Sequence, residues 1–105
     1  MTDYQTISWI FLATALASQE RGTNEAGISA VADGINHSVP TQREMQTSLK
    51  WLLTKDLVIK EQGKYNLTDQ GQELFQQVRK RSDILLKMWE ILETDLKSVN
   101  ENNVA

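Results

Sequence analysis

The sequence predicts one mainly α-helical domain with a single small β-hairpin. Apolar residues recur at helical spacing over most of the 105-residue chain, and two short strand-like runs are separated only by Gln62-Gly63. A hydrophobic content of 40% supplies one compact core but not two. We expect residues 1–81 to form this domain, residues 82–100 to form a further helix, and residues 101–105 to be a disordered tail.

The first helix is expected to run from about Asp3 to Glu20, before a loop of Arg, Gly, Thr and Asn. Its apolar run from Ile7 to Ala17 ends in Ala-Leu-Ala and superficially resembles a secretory signal. However, no Lys or Arg precedes the run, and its eleven residues are about half of what spans a bilayer. We therefore interpret it as a helix buried on most of its circumference, and not as a targeting segment.

The second and third helices each have a recognisable start. Asn24 is expected to cap the second helix, whose apolar positions follow the i, i+3, i+4, i+7 pattern: Ile28, Val31, Ala32 and Ile35. After a linker over residues 36–40, Thr41 and Glu44 form a Thr-x-x-Glu capping box. A turn of about 100° per residue then places the core face of the third helix at Met45, Ser48, Leu49 and Leu52.

The hairpin and the fourth helix follow without spare residues. The strand-like runs Leu57 to Glu61 and Lys64 to Leu67 flank a polar-Gly pair, which favours a two-residue turn with positive φ at Gly63. Thr68 can then cap the next helix, with Asp69 in its first turn.

This segment resembles the winged helix-turn-helix regulators. The matching residues are Leu49, Leu52, Leu57, Val58, Tyr65, Leu67, Thr68 and Gly71. Asp56 stands where the family commonly has Gly with a positive φ, a region that Asp enters more readily than most residues. Over residues 24–80 the chain is most similar to small regulators of the PadR and MarR kind. The resemblance implies a homodimeric transcriptional regulator that places the third helix of each subunit in a major groove of double-stranded DNA.

The outer face of the third helix carries side chains suited to that role. Arg or Lys can pair with guanine, Gln with adenine, and Thr with a phosphate or a thymine methyl group. With the short hairpin included, the predicted DNA-binding residues are Thr41, Gln42, Arg43, Gln46, Thr47, Lys50, Lys60 and Lys64. The same residue types are also ordinary solubilising residues, and the hairpin has an equally good interpretation as a purely structural element.

The distribution of charge favours nucleic acid more than the net charge does. The chain carries −3 overall, but residues 41–81 carry +3, while residues 1–40 and residues 82–105 carry −3 each. Positive charge is therefore concentrated in the segment that the resemblance would place against DNA. The acidic ends leave open an alternative function as a winged-helix protein-interaction module that does not bind DNA.

The C-terminal helix has a broad apolar stripe. Val78, Leu85, Leu92 and Val99 recur every seven residues. A second copy of the chain is the expected partner, with a dimer interface formed by Val78, Leu85, Met88, Trp89, Leu92, Leu96 and Val99. The alternative is that the chain turns near Ser82 and the last helix folds back on its own domain.

Catalysis is not expected from this sequence. It has no cysteine, one histidine (His37, expected in an exposed turn) and no Gly-rich phosphate loop. We therefore expect neither an enzyme nor a bound metal or cofactor, and we expect a cytoplasmic protein without a membrane segment. Trp9, Trp51 and Trp89 are expected in the core and interface, and a cleft between the subunits is the expected place for a small apolar effector, if one binds.

Overall fold

The structure is a computed structural model that describes residues 1–102. Within those residues the chain forms five helices and one two-stranded antiparallel sheet. In chain order the elements are α1 (Asp3–Ala17), α2 (Glu25–Asn36), α3 (Gln42–Thr54), β1 (Val58–Glu61), β2 (Lys64–Leu67), α4 (Asp69–Arg81) and α5 (Leu85–Asn102). This confirms the predicted mainly helical class with a small hairpin.

Helix α1 is the centre of the molecule. Every residue from Ile7 to Ala15 is buried, because α2, α3 and α5 all pack around this helix. Its polar side chains tolerate burial by bonding to carbonyls of the preceding turn: Ser8 Oγ donates to Tyr4 O (2.6 Å) and Thr14 Oγ1 to Ile10 O (2.7 Å). The prediction of a buried first helix is confirmed, although the helix ends at Ala17, three residues before the predicted Glu20.

Local capping fixes α2 and α3 as the sequence predicted. Asn24 accepts a hydrogen bond from Gly27 N, and the Thr41–Glu44 capping box is complete. His37 ends α2 with φ of 55°, exposed in the turn as expected. The core face of α3 is also as predicted, with buried residues Met45, Ser48, Leu49 and Leu52.

The hairpin closes the core beside α3. Val58 pairs with Leu67 and Glu61 with Lys64, around a turn in which both Gln62 (φ 52°) and Gly63 (φ 76°) have positive φ. Two positive φ values in a two-residue loop define a type I′ turn, whose twist matches that of the strands. Asp56 has the predicted positive φ, 59°. Thr23 adds an isolated bridge to Tyr65, which joins the α1–α2 connection to the hairpin.

The last helix folds back on its own protomer. The chain turns after Arg81, where Ser82 Oγ accepts a hydrogen bond from Ile84 N, and α5 then packs along α1. Of the residues predicted to face a second subunit, Val78, Met88, Leu92 and Leu96 are at most 4% exposed within one protomer. The predicted role of these four at an interface is thus corrected to the monomer core, and the fold-back alternative describes α5.

The remaining predicted interface residues stay accessible to a partner. Leu85 is 40% exposed, and Trp89 and Val99 are half-buried. Helix α5 continues to Asn102, so the first two residues of the predicted tail are helical, and residues 103–105 lie outside the described part. None of the helices described over residues 1–102 has both the length and the apolar composition that crossing a bilayer requires.

Candidate nucleic-acid interface

The outer face of α3 is polar and open to solvent. Its capping box starts the helix at Gln42, and the buried residues on the opposite side hold it against α1. The predicted contact residues on this helix are therefore all exposed: Gln42, Arg43, Gln46, Thr47 and Lys50. Thr41 is exposed too, but its hydroxyl already accepts a hydrogen bond from Glu44 N at 3.0 Å.

A groove runs between this face and the hairpin. It has a volume of about 470 Å³, and its predicted contact residues are Gln46, Thr47 and Lys50 from α3 and Lys60 from β1. Strand register explains the position of Lys60: it pairs with Tyr65, so both side chains lie on the α3 side of the hairpin. The Lys60 ammonium lies 5.3 Å from the centre of the Tyr65 ring, a cation–π geometry that holds it at the groove.

Four of the eight predicted residues, Thr41, Gln42, Arg43 and Lys64, lie outside this groove. Lys64 pairs with Glu61, one register position from Lys60, so its side chain points to the other face of the hairpin, near Gly22. Arg43 lines a second cavity of about 480 Å³ between α3 and the start of α1, beside Tyr4 and Trp51. The structure therefore brings four of the eight predicted residues into one groove and leaves the others around it.

The cations at the groove have no carboxylate partner within the described residues. The ion pairs found among the side chains of residues 1–99 are Arg81–Asp95 (3.2 Å) and Lys87–Glu90 (3.8 Å), both on α4 or α5. Lys50 and Lys60 consequently present their full charge to solvent, where an anionic ligand can reach them.

Glu25 belongs to the site, although its position in the sequence does not indicate this. The Nε2 atom of Gln46 donates a hydrogen bond to Oε1 of Glu25 at 2.8 Å, which links α3 to the first turn of α2. The two residues are 21 positions apart, and Glu25 has the ordinary appearance of an acidic residue at a helix start. They come together only because α2 and α3 both pack against α1.

Metal chemistry has no candidate site in the part of the chain that the structure describes. Over residues 1–99, whose side chains the structure describes, no three His, Asp or Glu side chains lie close enough together to hold an ion. The groove instead combines amide, hydroxyl and ammonium groups, which suit hydrogen bonding to a polar, anionic surface.

Comparisons with known proteins identify no relative. The sequence matches no protein-family model, and searches of curated proteins and of solved structures found no significant match.

Proposed function

We propose that the protein is a transcriptional regulator of the winged helix-turn-helix type, which acts in the cytoplasm as a homodimer on double-stranded DNA. The order of two short helices, a tight turn and a hairpin supports this proposal. One observation carries it: Gln46, Thr47 and Lys50 on exposed α3 share a groove with Lys60 of the hairpin, within the positively charged segment of an otherwise acidic chain.

The dimensions of α3 suit a DNA major groove. A B-form major groove is about 12 Å wide and admits one α-helix. In this proposal Gln46, Thr47 and Lys50 meet base edges and nearby phosphates, while Lys60 contacts the sugar-phosphate backbone. The hairpin tip is two residues long, so its contribution is positioning and not insertion into the minor groove.

The homodimer in this proposal uses an apolar surface at the start of α5. Ile84 and Leu86 are 64% and 61% exposed, and they neighbour Leu85 and half-buried Trp89. Consecutive exposed side chains of this size favour association, and a two-fold pair would present two α3 helices to one duplex. A small apolar effector bound between the subunits stays a prediction.

Leu86→Glu tests the dimer. We expect the wild-type protein to be dimeric at micromolar concentration in sedimentation or light scattering, and the variant to be monomeric with an unchanged helical circular-dichroism spectrum, because Leu86 is 61% exposed. Val39→Glu is a matched control, since Val39 is 64% exposed but lies before α3. A wild-type protein that sediments as a monomer would remove the dimer from the proposal.

A protein-interaction module is the second candidate function. Glu25 adjoins the groove, Leu53 (38% exposed) lines it, and Ile59 (41% exposed) is a further apolar side chain on the other face of the hairpin. With a net charge of −3, these features suit a protein partner better than a polyanion. DNA binding is the preferred function because the cations of α3 and β1 are free of ion pairs within the described residues.

Alanine variants separate the two functions. If Arg43, Gln46 and Lys50 contact DNA, each change to Ala should weaken specific binding by roughly 1–3 kcal/mol and leave the fold intact, because all three are exposed. Lys60→Ala should weaken binding to every sequence alike and reduce the salt dependence by about one unit. Salt-titrated binding to genomic fragments measures both effects.

Lys87→Ala is the control for charge, because Lys87 is exposed on α5 and pairs with Glu90. It should leave specific affinity unchanged. A wild-type protein with no salt-dependent affinity for any duplex at low ionic strength would contradict the proposal of DNA binding and favour the protein-interaction module.

A further inference from the structure

The hydrogen bond between Gln46 and Glu25 restricts how Gln46 can meet a ligand. A carboxylate can only accept hydrogen bonds, so the side-chain amide of Gln46 must turn its nitrogen toward Glu25. One N–H is used in this bond. When the N–H trans to Oε1 makes this bond, the amide keeps its Oε1 acceptor and the N–H cis to it, which lie side by side on the remaining edge of the group.

That remaining edge is complementary to one base. In the major groove adenine presents a donor at N6 beside an acceptor at N7, and glutamine matches the pair with Oε1 and one N–H. Guanine presents two acceptors there, so an amide whose orientation is fixed cannot satisfy both. Holding the amide in one orientation therefore restricts the base that Gln46 accepts.

The hydrogen bond to Glu25 also restricts the rotamers of Gln46 before DNA binds, so that less side-chain entropy is lost on binding. A long exposed side chain samples several rotamers, and a group ordered in advance pays less entropy when it meets its target. Glu25 is not needed to cap α2, because the side chain of Asn24 already accepts the hydrogen bond from Gly27 N at 2.9 Å. A carboxylate beside the groove opposes general affinity for DNA, so a favourable effect of Glu25 on DNA recognition would be on selectivity.

We propose that Glu25 is a positioning residue that orients the amide of Gln46 and thereby specifies adenine at one position of the bound DNA. This inference rests on the proposed function. It deepens that function by assigning a base preference to one side chain and the control of that preference to another.

Selection from a random duplex library tests the inference without a known binding site. Wild-type protein, Glu25→Ala, Gln46→Ala and the double variant are each used to enrich sequences, which are then counted. Gln46→Ala should lower the preference for adenine at one position about tenfold. Glu25→Ala should lower it at the same position by roughly three- to tenfold, while affinity for unrelated DNA rises because a negative charge is removed.

Two comparisons separate positioning from charge and from folding. The double variant should match Gln46→Ala, because Glu25 has no amide left to orient. Glu61→Ala removes the same charge from an exposed position on β1, away from Gln46, and should leave the adenine preference unchanged. Thermal melting of each variant checks that the fold is retained.

The possible failures are distinct. A wild-type protein that enriches no sequence overturns the proposed function, and the inference with it. An enriched motif whose adenine position is unaltered in Glu25→Ala or in Gln46→Ala overturns the inference alone. Loss of the preference in Glu61→Ala would assign the effect to charge and would equally overturn it.

Discussion

Replacing Leu92 with Ala should destabilise the monomer by about 2–5 kcal/mol, the range measured for large-to-small changes in a closed core. Leu92 is 0% exposed and lies where α5 covers α1. The adjoining contacts leave little room for collapse, since Trp89 stacks on Trp9 with ring centres 6.1 Å apart and its Nε1 donates to Gln5 O at 2.8 Å. Denaturant unfolding followed by circular dichroism measures the loss.

Whether this loss of stability depends on protein concentration shows whether α5 packs within one protomer or between two. If Leu92 belongs to the monomer core, the destabilisation should be the same in a dilute and a concentrated sample. Thr94→Ala is a control on the same helix, because Thr94 is exposed and its change should stay within about 0.5 kcal/mol. A Leu92→Ala variant as stable as the wild type at low concentration would contradict the fold-back of α5.

Features encoded within a few residues were predictable from sequence. The Thr41–Glu44 box, the Asn24 cap and the Gln62-Gly63 turn each depend on side chains or φ values inside one short segment. The core and solvent faces of α3 follow from helical periodicity, so its buried and exposed residues were also identified correctly.

The packing of α5 was harder to predict, because an apolar stripe on a helix does not show which surface it packs against. The spacing of Met88, Leu92 and Leu96 is equally suited to a second subunit and to α1 of the same chain. The break at Ser82 decides between them, and the ion pair of Arg81 with Asp95 (3.2 Å) spans the turn. Sequence gives such a break only as a weak hint, since Ser and Asp also occur inside helices.

Some features of the candidate site were likewise predictable from sequence, and others were not. Helical periodicity predicts the exposure of Gln46 and Lys50, but the contact of Gln46 with Glu25 depends on how α2 and α3 pack against α1. Lys64 shows a related failure. Its position in the sequence suggests a role like that of Lys60, whereas the register of the strands sends the two side chains to opposite faces.

Gly71 is the position where a single methyl group should cost most. It was one of the residues that carried the resemblance, and the structure supplies a physical reason for glycine there: a Cβ atom would overlap the carbonyl oxygen of Leu57. That oxygen cannot move away easily, because it accepts a hydrogen bond from Thr68 N at 3.1 Å. Thr68 is itself fixed, since its hydroxyl donates to Asp56 O at 2.6 Å and accepts from Gly71 N at 3.0 Å.

Gly71→Ala should therefore lower the free energy of unfolding by roughly 3 kcal/mol, near the upper end for overpacking, because backbone and not a flexible side chain must yield. Gly34→Ala is the matched control, since Gly34 lies in α2 with nothing within 4 Å of the added methyl group. There alanine should stabilise the protein by about 0.4–1 kcal/mol through its greater helix propensity. If denaturant unfolding gave the same change in the free energy of unfolding for both variants, the carbonyl of Leu57 would not lie as close to Gly71 as described.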